Sequence, residues 1–380
     1  AQVNIGTGIT LGSINISNIE GVDSTNGSLY ARDGFNTTWN IIGADTGSAS
    51  DSGASLSFSG FSNLYGSNGN DVFNVSADGS ISGLIRAGSG TNSLNVALTP
   101  TRQGGQVYYI GGTGTDTVAI SGASNTVVYT PAINVGGVTY ERLAYTGTNP
   151  IPNTFQVNYT AASETVTDTV TAGTLAINGT TGNDILNLGT GTFSVNGQRA
   201  VNFSNKTNLI ADGGLTSTGQ VGADTINITG DFSVANNLTL KNATTLTQAS
   251  GSLSANELML DSIYVLPAPL TTDIASLSVV NSGAVSIDEA DGLQLNQIGT
   301  TGSFTVLAQG DITASSTEQR VAGGAFSLTT TGNILLNTPN QNYLSGPISL
   351  AGNTVEINNG VATEFASVNA TSLLVNSTGN

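Results

Sequence analysis

Apolar and polar residues alternate along this chain in short runs: Val72-Phe73-Asn74-Val75, Ile185-Leu186-Asn187-Leu188, Thr225-Ile226-Asn227-Ile228, Leu238-Thr239-Leu240 and Val355-Glu356-Ile357. A period of two sends one face of each run inward and the other outward, as in a half-buried strand. Gly, Asn, Asp or Ser bounds each run, as tight turns require. No stretch carries the 3.6-residue apolar period of an amphipathic helix. The pattern predicts an all-β chain of many short strands.

Repeats set how those strands are arranged. Gly310-Asp311-Ile312, Gly332-Asn333-Ile334 and Gly352-Asn353-Thr354-Val355 recur at steps of 22 and 20 residues. Phe304, Phe326, Ile348 and Val368 form an interleaved series at 22, 22 and 20, and Phe232, Leu253 and Leu277 continue it upstream at 21 and 24. Two series at one spacing mean several strands per repeat. The reading is a parallel β-helix (β-solenoid) of about 20–22 residues per coil, with coils rising about 4.8 Å each. A face-packed sandwich needs hairpins and predicts no fixed spacing.

Upstream, a second signature appears, G-x-x-G-x-D-x-Φ-x-Φ with Φ apolar. Its copies are Gly66–Val75, Gly111–Ile120, Gly179–Leu188 and Gly219–Ile228, with degenerate copies at Gly88–Val96 and Pro152–Val157. The reference Asp or Asn falls at 71, 92, 116, 153, 184 and 224. The first two steps match one coil; the later ones fit a coil plus an insertion, or nearly two coils. Pro150 and Pro152 interrupt one strand approach, and Leu266-Pro267-Ala268-Pro269 reads as a loop. The motif changes character near Asp231, so the expected organisation is a less regular segment, 1–230, followed by a regular one, 231–380. The two are expected to run on as one rod cut from a longer protein.

Composition narrows the chemistry. Gly 49, Asn 41, Ser 41 and Thr 52 make up nearly half of 380 residues, and only 9% are charged. With no Cys and no His there is no disulfide framework, thiolate or imidazole metal site, thiol nucleophile or Ser-His-Asp triad. A net charge of -17, with Lys206 and Lys241 the two lysines, argues against nucleic acid. No run of apolar residues is long enough for a membrane-spanning helix.

Four features could carry function. Gly111–Ala119 fits the G-G-x-G-x-D-x-U-x nonapeptide that binds calcium in β-rolls. That makes Asp71, Asp116, Asp184 and Asp224 candidate calcium ligands; each copy stands alone, however, and the Asp equally fits a turn clamp accepting backbone amides. Asp288-Glu289-Ala290-Asp291-Gly292 is the densest charge, a cation site or a solvated turn. Trp39, with Tyr30 and Phe35 nearby, could offer a sugar-stacking platform or belong to the core. Asp311, Asn333 and Asn353 look like a turn ladder, and the basic residues are scattered. No catalytic residues are assigned and no enzyme is expected; a polysaccharide lyase or hydrolase on a β-helix, or a calcium-stabilised spacer, stands as the alternative.

AQGDITASS, GGAFSLTTTGNILLN and SGPISLAGNTVEINNGVATEFASVNATSLLVN resemble the repeat region of filamentous-haemagglutinin-type large exoproteins, the adhesins of two-partner secretion. GTTGNDILNL is similar to motifs of biofilm-matrix adhesins. The resemblance is best over residues 230–380, and the Asn-Pro-Asn secretion turn of the family is absent. It implies a right-handed β-helix at the surface of a Gram-negative bacterium, exported through an outer-membrane transporter without inserting into the membrane. The implied role is adhesion to extracellular polysaccharide, a cell-surface glycan or a receptor.

Overall fold

In a computed structural model, the structure describes residues 21–378 apart from 53, 103, 148–153, 161–163, 317–319 and 340–341. Before residue 21 it gives the backbone of three short strands, Gln2–Asn4, Ile9–Leu11 and Ile14–Ile16. Pro150, Pro152 and Asn153 thus lie outside the described residues. Among the described residues every regular element is a strand. The contacts divide the chain into two compact units: 1–176 with 197–206, and 177–196 with 207–380. Asp231, where the motif changes character, lies inside the second.

In the second unit, parallel strands pair rung upon rung. Leu238 faces Leu258, Leu258 faces Leu277 and Leu277 faces Leu295. Further along, Phe304, Phe326 and Ile348 align, as do Ile312, Ile334 and Val355. All of these side chains are buried, so each rung adds one apolar residue to each column of the core. Two members of the expected series sit elsewhere. Leu277 stacks on Leu258, while Leu253 faces Thr272. Ile348 faces Phe365, and a register shift moves Val368 onto Leu350. Rungs differ in length by a few residues, and equal spacing cannot follow that. At one corner the backbone turns through a left-handed residue on three successive rungs: Asn242, Ser262 and Asn281, with φ of 53°, 58° and 48°. Small polar residues tolerate that conformation because their side chains bond locally; Asn242 Nδ2 donates to Asp212 Oδ1 at 2.8 Å.

The first unit uses the same parallel pairing, interrupted by hairpins. One core column runs Trp39, Phe73, Leu94, Val118, Val166, Val201 through successive parallel partners, all buried. The steps of 21 and 24 are single rungs. Antiparallel excursions lie between other rungs. Thr38–Gly43 folds onto Thr46–Asp51, which folds onto Ala54–Tyr65. Asp116–Val135 folds onto Val138–Thr146, which folds onto Thr154–Tyr159. The turn Val135-Gly136-Gly137-Val138 closes the last of these, both glycines taking positive φ. The strands are therefore mixed here, and the stretch from Asp116 to its rung partner Glu164 is one step that carries an insertion.

Candidate functional site

The G-x-x-G-x-D motif builds an internal clamp. Asp71 is fully buried; its Oδ1 accepts the Thr37 amide at 2.7 Å and its Oδ2 the Ser67 amide at 2.6 Å. The Asp71 amide in turn donates to Asn92 Oδ1 at 2.8 Å, and the Asn92 amide to Asp116 Oδ1 at 2.8 Å. Thr37, Asp71, Asn92 and Asp116 thus form a vertical chain in which each side chain holds the amide of the rung before it. The residue facing Asp116 on the next rung is Glu164, which lies outside the expected series. Glu164 Oε1 accepts the Gly111 amide at 3.1 Å and the Thr160 hydroxyl at 2.7 Å. The second unit repeats the clamp. The Asp184 amide donates to Asp224 Oδ1 at 2.7 Å, and Asp184 Oδ2 accepts the Thr180 amide at 2.7 Å.

The first glycine of the motif makes room for this carboxylate. A Cβ on Gly66 would collide with Asp71 Oδ2 and the Ala87 carbonyl, and one on Gly111 with Asp116 Oδ2. Burial pushes the Asp71, Asp116 and Asp224 carboxyls above the usual carboxylate range, against the pull of the amides that they accept. Tyr109 is buried near Asp71, Asp116 and Glu164, and burial and those carboxylates raise its hydroxyl as well. Amide hydrogens carry partial positive charge and point at these oxygens, which is where a calcium ion would need free lone pairs.

Three residues beyond the motif Asp, on the strand's outer face, the same repeats carry an asparagine. Asn40, Asn74 and Asn95 are register partners. Asn74 Nδ2 donates to Asn40 Oδ1 and Asn95 Nδ2 to Asn74 Oδ1, both at 3.0 Å. Asn187 and Asn227 repeat the arrangement in the second unit at 3.0 Å, with Thr247 donating to Asn227 Oδ1 at 2.5 Å. The sequence signal is plain in retrospect: Asn follows the reference Asp or Asn by three at 74, 95, 187 and 227, and Ala119 breaks the series. The G-x-x-G-x-D-x-Φ-x-Φ signature leaves that position open.

In the first unit this ladder floors a groove of about 490 Å³, lined also by Ile41, Ile42, Val75, Ser76, Ala97 and Ser121. Ile42 is 61% exposed at its edge. A side-chain amide has two N–H donors and an oxygen with two lone pairs. The ladder uses one of each on Asn74, so one donor and one lone pair remain for the groove.

The other candidates fall as follows. Trp39 is 0% exposed, stacked on Phe73 and edge-on to Phe58, so it has no face for a sugar ring. Tyr30 is half-buried and stacks on Tyr65 with ring centroids 4.4 Å apart. Phe35 lies under the Arg32 guanidinium. Asp273, Glu289 and Asp291 bring their carboxylates within 4.8 Å of one another. Glu289 is buried and already accepts the Thr272 hydroxyl at 2.6 Å and the Ile274 amide at 3.1 Å. The Asp311–Asn333 ladder is present, the Asn333 amide donating to Asp311 Oδ1 at 2.7 Å; the next rung places Thr354 rather than Asn353 opposite Asn333.

Residues 282–351 match a family described as repeats of unknown function (DUF5649). The matched span coincides with successive parallel rungs, from Val285–Glu289 to the start of Ile348–Asn359. No curated protein and no solved structure matches the chain.

Proposed function

We propose that this chain is an adhesive segment of a secreted surface exoprotein: a right-handed parallel β-helix that displays the Asn40–Asn74–Asn95 groove to extracellular polysaccharide. The observation that carries this reading is the ladder. Its asparagines stand one rung apart, about 4.8 Å, close to the length of one sugar in an extended polysaccharide. Each offers hydrogen-bonding groups of both senses to hydroxyls. Ile42 adds an apolar edge for a ring face. The groove has no charged lining residue and the chain is strongly acidic, which favours a neutral polysaccharide over an anionic one. Individual contacts of this kind are weak, and a second ladder at Asn187 and Asn227 would add avidity. The resemblance to filamentous-haemagglutinin-type adhesins supports the same role, with export through an outer-membrane transporter and attachment to cells or biofilm matrix.

The test is a glycan array and a pull-down from matrix polysaccharide, with wild type beside an Asn74→Ala/Asn95→Ala variant. The expected result is retention of neutral glycans by wild type and at least a tenfold loss in the variant, whose circular dichroism spectrum stays that of the folded chain. Retention of no glycan by the wild type would reduce the chain to a spacer.

A further inference from the structure

One buried polar cluster belongs to neither ladder nor clamp. Lys206 Nζ lies 3.2 Å from Asp168 Oδ1, and both side chains are 1% exposed. Burying two charges costs several kcal/mol per ion, and an apolar pair of similar volume would serve packing as well. The surroundings are dry: Val166, Val170 and Ala172 are all buried. Asp168 Oδ1 accepts the Val170 amide at 2.9 Å, while Oδ2 is buried without a hydrogen-bond partner. The Tyr145 hydroxyl faces the same carboxyl.

The lysine nitrogen is unusually well oriented. It donates to the Val170 carbonyl at 2.6 Å and to the Ser204 carbonyl at 2.8 Å. Carbonyl oxygens accept only hydrogens, so these two contacts fix two N–H bonds. A neutral amine has two N–H bonds and one lone pair. The remaining contact of the nitrogen, and the longest, is the one to Asp168. Burial moves both groups toward neutrality, raising the carboxyl and lowering the amine.

We propose that Lys206 and Asp168 form an intramolecular amide cross-link. The Nζ lone pair attacks Asp168 Cγ, a C–N bond forms and the C–O bond of the protonated carboxyl breaks. The hydroxyl leaves as water, taking up a proton that nitrogen gives up; the Tyr145 hydroxyl is placed to relay it. No oxidant, reductant or co-substrate is consumed. In water such condensation is unfavourable, but fixed contact in a dry site can supply an effective molarity on the order of 10⁵ M or more. The bond would tie Glu164–Asp168 to the segment after Val201–Phe203, two strands already paired in parallel. It would close a loop over residues 169–205, constraining the unfolded chain as a disulfide does in a protein that has no cysteine.

The experiment is intact-mass spectrometry of the folded full chain, followed by tryptic mapping. The expected mass is below the sequence mass by one water. Trypsin should fail to cut after Lys206 and should yield a branched peptide joining 143–199 to 200–241. Lys206→Met and Asp168→Ala should each show the full mass, and Tyr145→Phe a smaller cross-linked fraction at equal age. A wild-type protein of full mass, or one whose water loss maps elsewhere, overturns the proposal.

Discussion

Trp39 stacks face to face on Phe73, with ring centroids 5.7 Å apart and planes 6° from parallel, because the two are register partners in adjacent parallel strands. Phe58 meets Trp39 edge-on at 6.1 Å and Tyr109 meets Phe73 at 6.2 Å, so the stack links four strands of the first unit. Trp39→Ala should therefore cost on the order of 3–5 kcal/mol. Denaturant unfolding monitored by circular dichroism would measure it. A loss below about 1 kcal/mol would mean that the indole is not packed as described. Because Trp39 is the chain's one tryptophan, its emission should also be that of an apolar site and should not respond to added glycan.

The clamp makes a different prediction, in which a glycine and an acid fail for one reason. Asp71→Ala removes the acceptor of two amides and leaves each short by roughly 1–3 kcal/mol. Gly66→Ala drives a methyl into the Asp71 carboxylate and the Ala87 carbonyl, breaking the same clamp without touching the acid. Both should lower the thermal midpoint by comparable amounts, and the double variant should fall short of their sum because they act on one contact. Additive losses would show that the glycine serves only its backbone conformation.

How much of this was legible beforehand follows from what period-two patterning records. It reports which residues face inward, so the strands around Phe304, Phe326 and Ile348 were readable, as was the place of Asp71 beside a turn. It does not report register. Spacing alone sets Val368 opposite Ile348, whereas the bulge beside Ile348 gives that place to Phe365. The strands Thr46–Asp51 and Val138–Thr146 alternate like any other, so their own pattern does not mark them as antiparallel; the local mark of the second is the Gly136-Gly137 turn before it. Trp39 has polar neighbours, which leaves a sugar platform and the core both open, but alternation with Thr38 and Asn40 favours the inward place that it takes. The outward asparagines carry little signal because a chain with 41 of them makes any single one look incidental.

Calcium is the next test. Both oxygens of Asp71 accept amides, and Asp184 Oδ1 accepts the Asn196 amide group at 2.5 Å while its Oδ2 accepts Thr180. A cation at either would have to sit beside these donors, whose partial positive charge opposes it. Thermal melts in millimolar calcium and in EDTA should therefore coincide, as should their far-ultraviolet spectra. A midpoint that rises with calcium and is abolished by Asp71→Asn would establish ligation at the motif instead.

Glu141 sets the expected pH dependence. It is 2% exposed on Val138–Thr146, and burial pushes its carboxyl up to about 7 from an ordinary 4.5. The Tyr129 and Tyr159 hydroxyls partly oppose that rise, and the charge of Glu164 adds to it. A carboxyl raised in the folded state binds its proton more tightly there than in the unfolded chain. Folding is therefore favoured most below about pH 4.5, and the contribution is lost as pH rises through 7. The full difference is on the order of 3 kcal/mol. Asp71, Asp116, Asp224 and Glu289 are raised by burial too and act in the same direction. The melting temperature should then fall between pH 5 and pH 8. Glu141→Gln, which keeps the shape and cannot ionise, should flatten that slope and gain stability at pH 8 rather than at pH 5. A variant as steep as wild type across this range would show that Glu141 is not the group that titrates.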